Sequence, residues 1–132
     1  MYERVEEMIQ GYIWKDLGVK VIEAVDGEVT LHMPVKTRQT QFHGNVHGGV
    51  LATLADMSMA AAVNTLVEEK EFTVTAEIKV NYLRPAAGDF LEAKGKVIKR
   101  GRTLSHCQAE VFDDSGKQVC FVVATFYMFK KE

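Results

Sequence analysis

Residues 41–56 combine backbone donors with an isolated acid in a way that suits attack on a carbonyl group. Their first part reads Gln41-Phe42-His43-Gly44-Asn45-Val46-His47-Gly48-Gly49. Its three glycines allow a tight turn and the close approach of a ligand. A helix is predicted to begin directly afterwards, so the N–H groups of Gly48, Gly49 and Val50 would lack helical partners. Such donors suit an oxyanion that develops on a carbonyl carbon under attack.

Asp56 is the second chemical group of this segment. It lies within a helix predicted over residues 50–67, which is apolar on nearly all sides and rich in alanine. A carboxylate in such surroundings is costly unless it is paired or does chemistry. Burial would raise its pKa toward the range in which a carboxylate works as a general base.

The spacing of the two groups predicts a dimer. Asp56 follows Gly48 by eight residues, which is roughly 12 Å along a helix at ~1.5 Å per residue. A carbonyl carbon under attack must lie near both the amide donor and the base, and one helix can hardly place both there. Two helices that run antiparallel across a two-fold axis could bring Gly48 of one chain to Asp56 of the other. We therefore predict an obligate dimer with two symmetric sites at its interface.

The elements around this segment predict one α+β domain spanning residues 1–132, in which a long central helix is wrapped by a curved antiparallel sheet. A short amphipathic helix is predicted over residues 3–14, with Val5, Met8, Ile9 and Tyr12 on one side. Residues 36–49 read as a long structureless loop, which is usually functional in a compact domain. Strands are predicted at residues 17–25, 28–35, 72–83, 89–99, 103–112 and 117–129. Turns are predicted at Asp26-Gly27, Arg100-Gly101-Arg102 and Asp113-Asp114-Ser115-Gly116.

Composition excludes several other classes of protein. The net charge of −2 provides no overall field for nucleic acid or an anionic membrane. Residues 50–67 are slightly short for a membrane span and carry Asp56 in the middle. Cys107 and Cys120 have no CxxC or zinc spacing, which favours reduced, packed thiols and no metal. The N-terminus has no signal-peptide pattern, so we expect a cytoplasmic protein.

The run His47-Gly48-Gly49-Val50-Leu51-Ala52-Thr53-Leu54-Ala55-Asp56 resembles the signature of hotdog-fold thioesterases. The resemblance is closest to the PaaI-like branch, which includes human thioesterase superfamily member 2. It continues through Val80-Asn81-Tyr82-Leu83-Arg84-Pro85-Ala86 and Lys99-Arg100-Gly101-Arg102-Thr103-Leu104, and covers about residues 15–129. It implies a hotdog fold and hydrolysis of an acyl-coenzyme A thioester to a carboxylic acid and free coenzyme A. No cofactor is implied, since coenzyme A is part of the substrate. Dimers of this family often pair, so a tetramer is also expected.

The resemblance also implies roles for individual residues. The Gly48 N–H would polarise the thioester carbonyl, and Asp56 would act as general base or as nucleophile. Gln41 would orient the thioester or the water, while His47 would shape the loop and help to hold the carbonyl or the thiolate.

Further contacts with the substrate are implied more generally. Gly49 would contribute to the oxyanion site, and Thr75, in the strand after the helix, would position the water. The basic residues available for coenzyme A are Arg84, Lys99, Arg100 and Arg102. The acyl tunnel could be lined by Phe42, Met57, Met59, Phe72 and Tyr82.

Two other functions remain open at this stage. A hotdog enoyl-coenzyme A hydratase or dehydratase would pair a catalytic histidine with an acid at another spacing. A non-catalytic acyl-coenzyme A-binding protein would usually carry a DNA-binding segment, for which the chain is short. The sequence contains no GxSxG element, so it does not indicate a serine hydrolase. Aromatic and medium-chain acyl groups fit the sequence equally well.

Overall fold

Six antiparallel strands form one sheet that curves around a long helix. The computed structural model describes residues 2–131. Its helices are α1 (Glu3–Met8), α2 (Tyr12–Leu17) and α3 (Gly48–Asn64). Its strands are β1 (Lys20–Val25), β2 (Glu28–Pro34), β3 (Glu71–Tyr82), β4 (Phe90–Arg100), β5 (Leu104–Asp113) and β6 (Gln118–Lys130). They lie side by side in the order β1-β2-β4-β5-β6-β3. The α+β architecture and the three predicted turns are confirmed.

The N-terminal segment differs from the single helix predicted over residues 3–14. Gly11 is extended, with φ −63° and ψ 149°, and separates α1 from α2. A glycine costs about 1 kcal/mol in a helix interior, which explains why the helix breaks there. Val5 is buried whereas Tyr12 is 88% exposed, so the predicted common side is wrong. Leu17 ends α2, and the first strand begins only at Lys20, after Gly18 in the left-handed conformation.

The long loop and α3 also have different boundaries from those predicted. The loop contains a 3-10 turn at Thr37–Gln39, and a bridge joins Thr40 to Val46. The helix begins two residues earlier than predicted and ends at Asn64. Beyond its end, the Thr65 hydroxyl accepts from the Gly27 N–H at 2.8 Å. The β1–β2 turn thus contacts the C-terminal end of α3, which lies at Asn64 and not at residue 67.

The backbone of α3 lies directly against β4. A Cβ added to Gly95 would lie 2.3 Å from the carbonyl carbon and oxygen of Ser58, and 2.7 Å from the Met59 nitrogen. Only a residue without a side chain permits this approach. Leu54, Ala55 and Met59 on the same helix are fully buried, so α3 packs closely against the sheet.

The two cysteines are buried under the sheet. Cys107 of β5 and Cys120 of β6 are both free. Burial raises the pKa of Cys107 to about 12 and that of Cys120 to about 11. Both groups are therefore neutral thiols at physiological pH. Within residues 2–131, no helix has the length and apolar character needed to cross a bilayer.

We predict that Gly95→Ala lowers the free energy of unfolding by at least about 1–3 kcal/mol, because overpacked cores lose stability. The added methyl meets helix backbone, which cannot rotate away. Lys96→Ala is the matched control, since Lys96 is exposed on the same strand and should change stability by less than about 0.5 kcal/mol. Urea denaturation measures both variants, and equal midpoints for the two would contradict the close approach.

Candidate active site

The start of α3 leaves one backbone donor without an acceptor. His47 is the N-cap, and its Nδ1 accepts from the Gly49 N–H at 2.9 Å. The His47 carbonyl accepts from the N–H groups of Val50 at 2.9 Å and Leu51 at 3.2 Å. Within residues 2–131 no hydrogen bond uses the Gly48 N–H. The prediction that Gly48, Gly49 and Val50 all offer free donors is therefore wrong, since His47 occupies two of them.

The Gly48 recess is a cleft of about 330 Å³ beside this donor. Its walls include Gln41, Asn45, Gly48, Tyr82 and Arg84. The Tyr82 hydroxyl donates to the Gly48 carbonyl at 2.8 Å and so ties the end of β3 to the start of α3. The Gln41 Oε1 accepts from the His43 N–H at 2.5 Å, which orients the Gln41 side chain. Three predicted site residues, Gln41, Gly48 and Arg84, thus meet in one cleft.

Asp56 lies half-buried on α3 and faces β3. The Thr75 hydroxyl donates to its Oδ1 at 2.7 Å. Burial raises the pKa of the Asp56 carboxyl above its ordinary value, and the hydrogen bond from Thr75 offsets part of that rise. A β-bulge between Thr75 and Glu77 shifts the β3–β6 register immediately after this contact. The arrangement can hold a carboxylate that takes up a proton more readily than a solvated aspartate.

In a single chain these two groups lie apart. Asp56 is not among the residues that line the Gly48 recess, and eight residues of helix separate it from Gly48, roughly 12 Å. Gly48 and Val50 in the first turn of α3 are not buried, and beyond them the less buried positions form a stripe at helical spacing, composed of Gly49, Ala52, Thr53, Asp56 and Ala60. Asp56 therefore opens onto a face of the helix that its own sheet leaves uncovered.

A second cleft, of about 380 Å³, begins beside the Asp56–Thr75 pair. Its walls are Arg4, Met8, Ala60, Asn64, Phe72, Thr73, Val74, Thr75 and Phe126. We call this space the α1 cleft, because α1 supplies Arg4 and Met8. Neither Arg4 nor Met8 belongs to a motif that predicts a place in a binding site. The spacing of Asp56, Ala60 and Asn64 at four-residue intervals could have indicated that the three share one helix face.

The other predicted contacts are scattered over the molecule. Lys99 and Arg102 are exposed around the β4–β5 turn. Arg100, in contrast, forms an ion pair with the buried Glu71 and donates to the Gly101 carbonyl at 2.7 Å. The Arg100 guanidinium is thus engaged within its own chain.

The predicted acyl-lining residues also separate. Met57 and Met59 belong to the core, whereas Phe42 is 92% exposed. Phe72 lines the α1 cleft and Tyr82 the Gly48 recess. In residues 2–131, no group of three or more His, Cys, Asp or Glu side chains is arranged to hold a metal ion.

Comparison with known proteins identifies the relatives of this chain. Residues 43–120, more than half of the chain, match the model of the thioesterase superfamily. A thioesterase family protein from Silicibacter pomeroyi is 30% identical, with a TM-score of 0.92 and 98% coverage of both chains. The E. coli PaaI protein from the phenylacetic acid degradation operon is 25% identical, with a TM-score of 0.89, covering 97% of this chain and 92% of that one. A 1,4-dihydroxy-2-naphthoyl-CoA hydrolase from Listeria monocytogenes is 23% identical over 115 residues, which are 87% of this chain and 94% of that protein.

We predict that His47→Ala lowers the free energy of unfolding by about 1 kcal/mol, the typical value for a lost N-cap. His47→Asn should recover most of this loss, because asparagine is a favoured N-cap and can accept the same amide hydrogen. Chemical denaturation of the two variants gives the comparison. If the asparagine variant is as unstable as the alanine variant, the ring does not act as a cap.

Proposed function

The chain belongs to the thioesterase superfamily and is a thioester hydrolase with a hotdog fold, and we propose that it cleaves acyl-coenzyme A at a site shared by two chains. The observation that carries the proposal is the pairing of one free amide, at Gly48, with one carboxyl of raised pKa, at Asp56. The first suits an oxyanion and the second a general base. The Listeria relative is a CoA hydrolase, which supports coenzyme A as the thiol.

The reaction follows from these two groups. Asp56 removes a proton from water while the water oxygen attacks the thioester carbonyl carbon. The carbonyl oxygen gains the electron pair and is stabilised by the Gly48 N–H. The tetrahedral intermediate then collapses, the C–S bond breaks, and the Asp56 carboxyl returns its proton to the thiolate. The products are a carboxylic acid and free coenzyme A.

The contact with Thr75 leaves one carboxylate oxygen of Asp56 for the reaction. Thr75 holds Oδ1 of the carboxylate at 2.7 Å, and Oδ2 remains available to a water molecule. Gln41 lines the Gly48 recess, where its amide could orient the thioester or the attacking water. His47 acts on the reaction through the loop, because its ring caps the Gly49 amide.

The free edge of β3 supports a two-fold dimer. β3 is the last strand of the sheet and pairs only with β6, so its other edge can accept a second chain. Thr75 on this strand marks the position of Asp56, and Tyr82 marks that of Gly48. A two-fold axis between Ile78 and Lys79 would put Thr75 of one β3 opposite Tyr82 of the other. The same axis would therefore bring Asp56 of one chain toward Gly48 of its partner.

Two further surfaces favour the same association. Ile78 on β3 is an exposed apolar residue, and the half-buried stripe of α3 beside it carries mostly small side chains. Small residues allow two helices to approach closely. On the Gly48 side, Arg84 lines the recess and could contact a phosphate of coenzyme A. Lys99 and Arg102 are the other exposed cations proposed for this ligand.

We predict that Gly48→Pro lowers kcat for acyl-coenzyme A by about 10²–10³-fold, because it removes the oxyanion donor. Proline fits the first helical position, and His47 before it is extended with ψ 134°. Gly48→Ala is the matched control, since its Cβ would meet the Tyr82 ring at the same 3.3 Å but its N–H remains. Asp56→Asn should lower kcat by about 10²–10⁴-fold. Thiol release over a panel of acyl-coenzyme A esters measures all four proteins.

Mixing the inactive chains tests the shared site. A dimer of one Gly48→Pro chain and one Asp56→Asn chain would retain one intact site, so mixing should restore activity. Verified heterodimers that stay inactive would contradict the shared site. If the wild type cleaves no acyl-coenzyme A but hydrates an enoyl ester, or only binds, the hydrolase proposal itself is wrong.

We predict that Thr75→Val moves the acidic limb of the kcat/KM profile to higher pH. The rate should fall when Asp56 becomes protonated, and its pKa is already raised by burial. The Thr75 hydrogen bond lowers that pKa, so its removal raises the pKa further and protonation begins at higher pH. Thr75→Ser keeps the hydroxyl and should keep the limb in place. A limb that is unmoved, or that shifts to lower pH, in the valine variant would exclude Asp56 as the titrating base.

A further inference from the structure

The α1 cleft continues the face of α3 that carries Asp56. Asp56, Ala60 and Asn64 are four residues apart and stack along one side of the helix. Thr75, which binds Asp56, belongs to the wall of the cleft. The cleft therefore begins at Thr75, the residue that binds the proposed base, and runs toward the end of the helix. The eight residues from Asp56 to Asn64 span roughly 12 Å, which suits a medium-length acyl chain.

The walls of the cleft are mainly apolar near Asp56. Ala60 leaves room over the helix, while Phe126 and Val74 come from β6 and β3. Met8 closes the side formed by α1. A volume of about 380 Å³ lies within the range of small-molecule sites. The polar residues of the wall besides Asn64 are Arg4, Thr73 and Thr75, and an aliphatic group can extend along the apolar part between them.

Asn64 presents a hydrogen-bond acceptor at the far end. Its Nδ2 donates to the Ala60 carbonyl at 2.7 Å and to the Thr73 hydroxyl at 3.1 Å. The carbonyl can only accept, so the amide orientation is fixed and Oδ1 points away from it. Among residues 2–131 no donor reaches Oδ1, although Asn64 is only 7% exposed. The Oδ1 atom is not among the fully buried unpaired atoms, so it is accessible from the cleft and can accept from a donor on a ligand.

The charges beyond Asn64 indicate what this ligand end cannot be. Asn64 also lines a second recess, whose other walls include the side chains of Glu3, Glu7, Glu68 and Glu69. Arg4, the one cation there among the described residues, donates to the carbonyls of Glu71 at 2.7 Å and Glu69 at 2.9 Å. Outside the recess, Lys130 pairs with Glu68 at 3.5 Å and Lys131 lies 4.6 Å from the Phe72 ring. The recess walls themselves carry four carboxylates and one engaged guanidinium, which disfavours an acyl group that ends in a carboxylate there.

We propose, on the basis of the thioesterase function proposed above, that the α1 cleft binds the acyl group and selects a neutral hydrogen-bond donor, such as a hydroxyl, at its distal end. Asn64 Oδ1 accepts from that hydroxyl. The cleft serves the site to which the same chain contributes Asp56, so α1 and Asn64 determine acyl specificity there. A terminal methyl leaves Oδ1 unpaired, and a terminal carboxylate meets the acidic recess.

The test compares octanoyl-, 8-hydroxyoctanoyl- and octanedioyl-coenzyme A by kcat/KM. We expect the hydroxylated ester to exceed octanoyl by about 2–10-fold, the value of one hydrogen bond. Octanedioyl should be the poorest of the three. Asn64→Leu should bring the ratio of hydroxylated to plain ester to about one or below. Lys96→Ala is the control, because Lys96 is an exposed residue of β4 outside the cleft, and it should retain the wild-type ratio.

The outcomes separate this inference from the function on which it rests. If the wild type cleaves none of the esters, the hydrolase proposal is wrong. If it cleaves octanoyl and 8-hydroxyoctanoyl equally well, or prefers octanedioyl, the function stands and the inference is overturned. The ratios of kcat/KM among the three esters are measured on the wild type alone. They therefore test the inference even if Asn64→Leu fails to fold. In heterodimers with one intact site, Asn64→Leu should change the ratio only in the chain that supplies Asp56, and an effect from the other chain would overturn the placement.

Discussion

The contact between the α3 backbone and Gly95 of β4 sets the position of every other functional group. It holds the helix against the sheet at a distance that no side chain could share. Because Ser58 and Met59 face β4 there, Asp56 and Ala60 lie on a less covered face, next to β3. The same contact fixes the position of the first turn of α3 relative to the sheet. There the Tyr82 hydroxyl donates to the Gly48 carbonyl. Gly48, the proposed oxyanion donor, and Asp56, the proposed base, are thus two points on one helix that this contact holds in place.

The free-energy cost of burying the Asp56 carboxylate on α3 contributes to the chemistry proposed for it. Burial disfavours the charged form of Asp56, and Thr75 offsets only part of that effect. The half-buried stripe around Asp56 is open in the single chain. A partner helix laid on the stripe would remove more water and raise the pKa of Asp56 further, toward the pH at which a base works best. In the proposed dimer, association and activation would be the same event.

The sequence was most informative where period and residue type agreed. The alternating strands, the alanine-rich helix and the turn at Asp26-Gly27 predicted the architecture correctly. It was less informative where one side chain decides the outcome. Whether the Gly49 N–H is free depends on the orientation of the His47 ring. The spacing of residues in the sequence does not predict that side-chain orientation. The break of the N-terminal helix depends on Gly11. The periodic pattern of apolar residues predicts a continuous helix there and does not include the free-energy cost of a glycine in a helix interior. The site residues that came from α1 and from Asn64 required the tertiary packing, because chain distance alone gives no reason to join Arg4 to Phe72.

The burial of Cys107 and Cys120 has a consequence for an enzyme that releases a thiol at every turnover. Mixed disulfides form through a thiolate, and with pKa values of about 12 and 11 both cysteines keep their protons at neutral pH. Neither is exposed to an incoming disulfide. The hydrolase can therefore work among its own reaction products, including their oxidised forms, without capture of its sulfur atoms. The two strands that cover the helix thus keep both thiols buried and protonated, which slows their reaction with the released thiol or its disulfide.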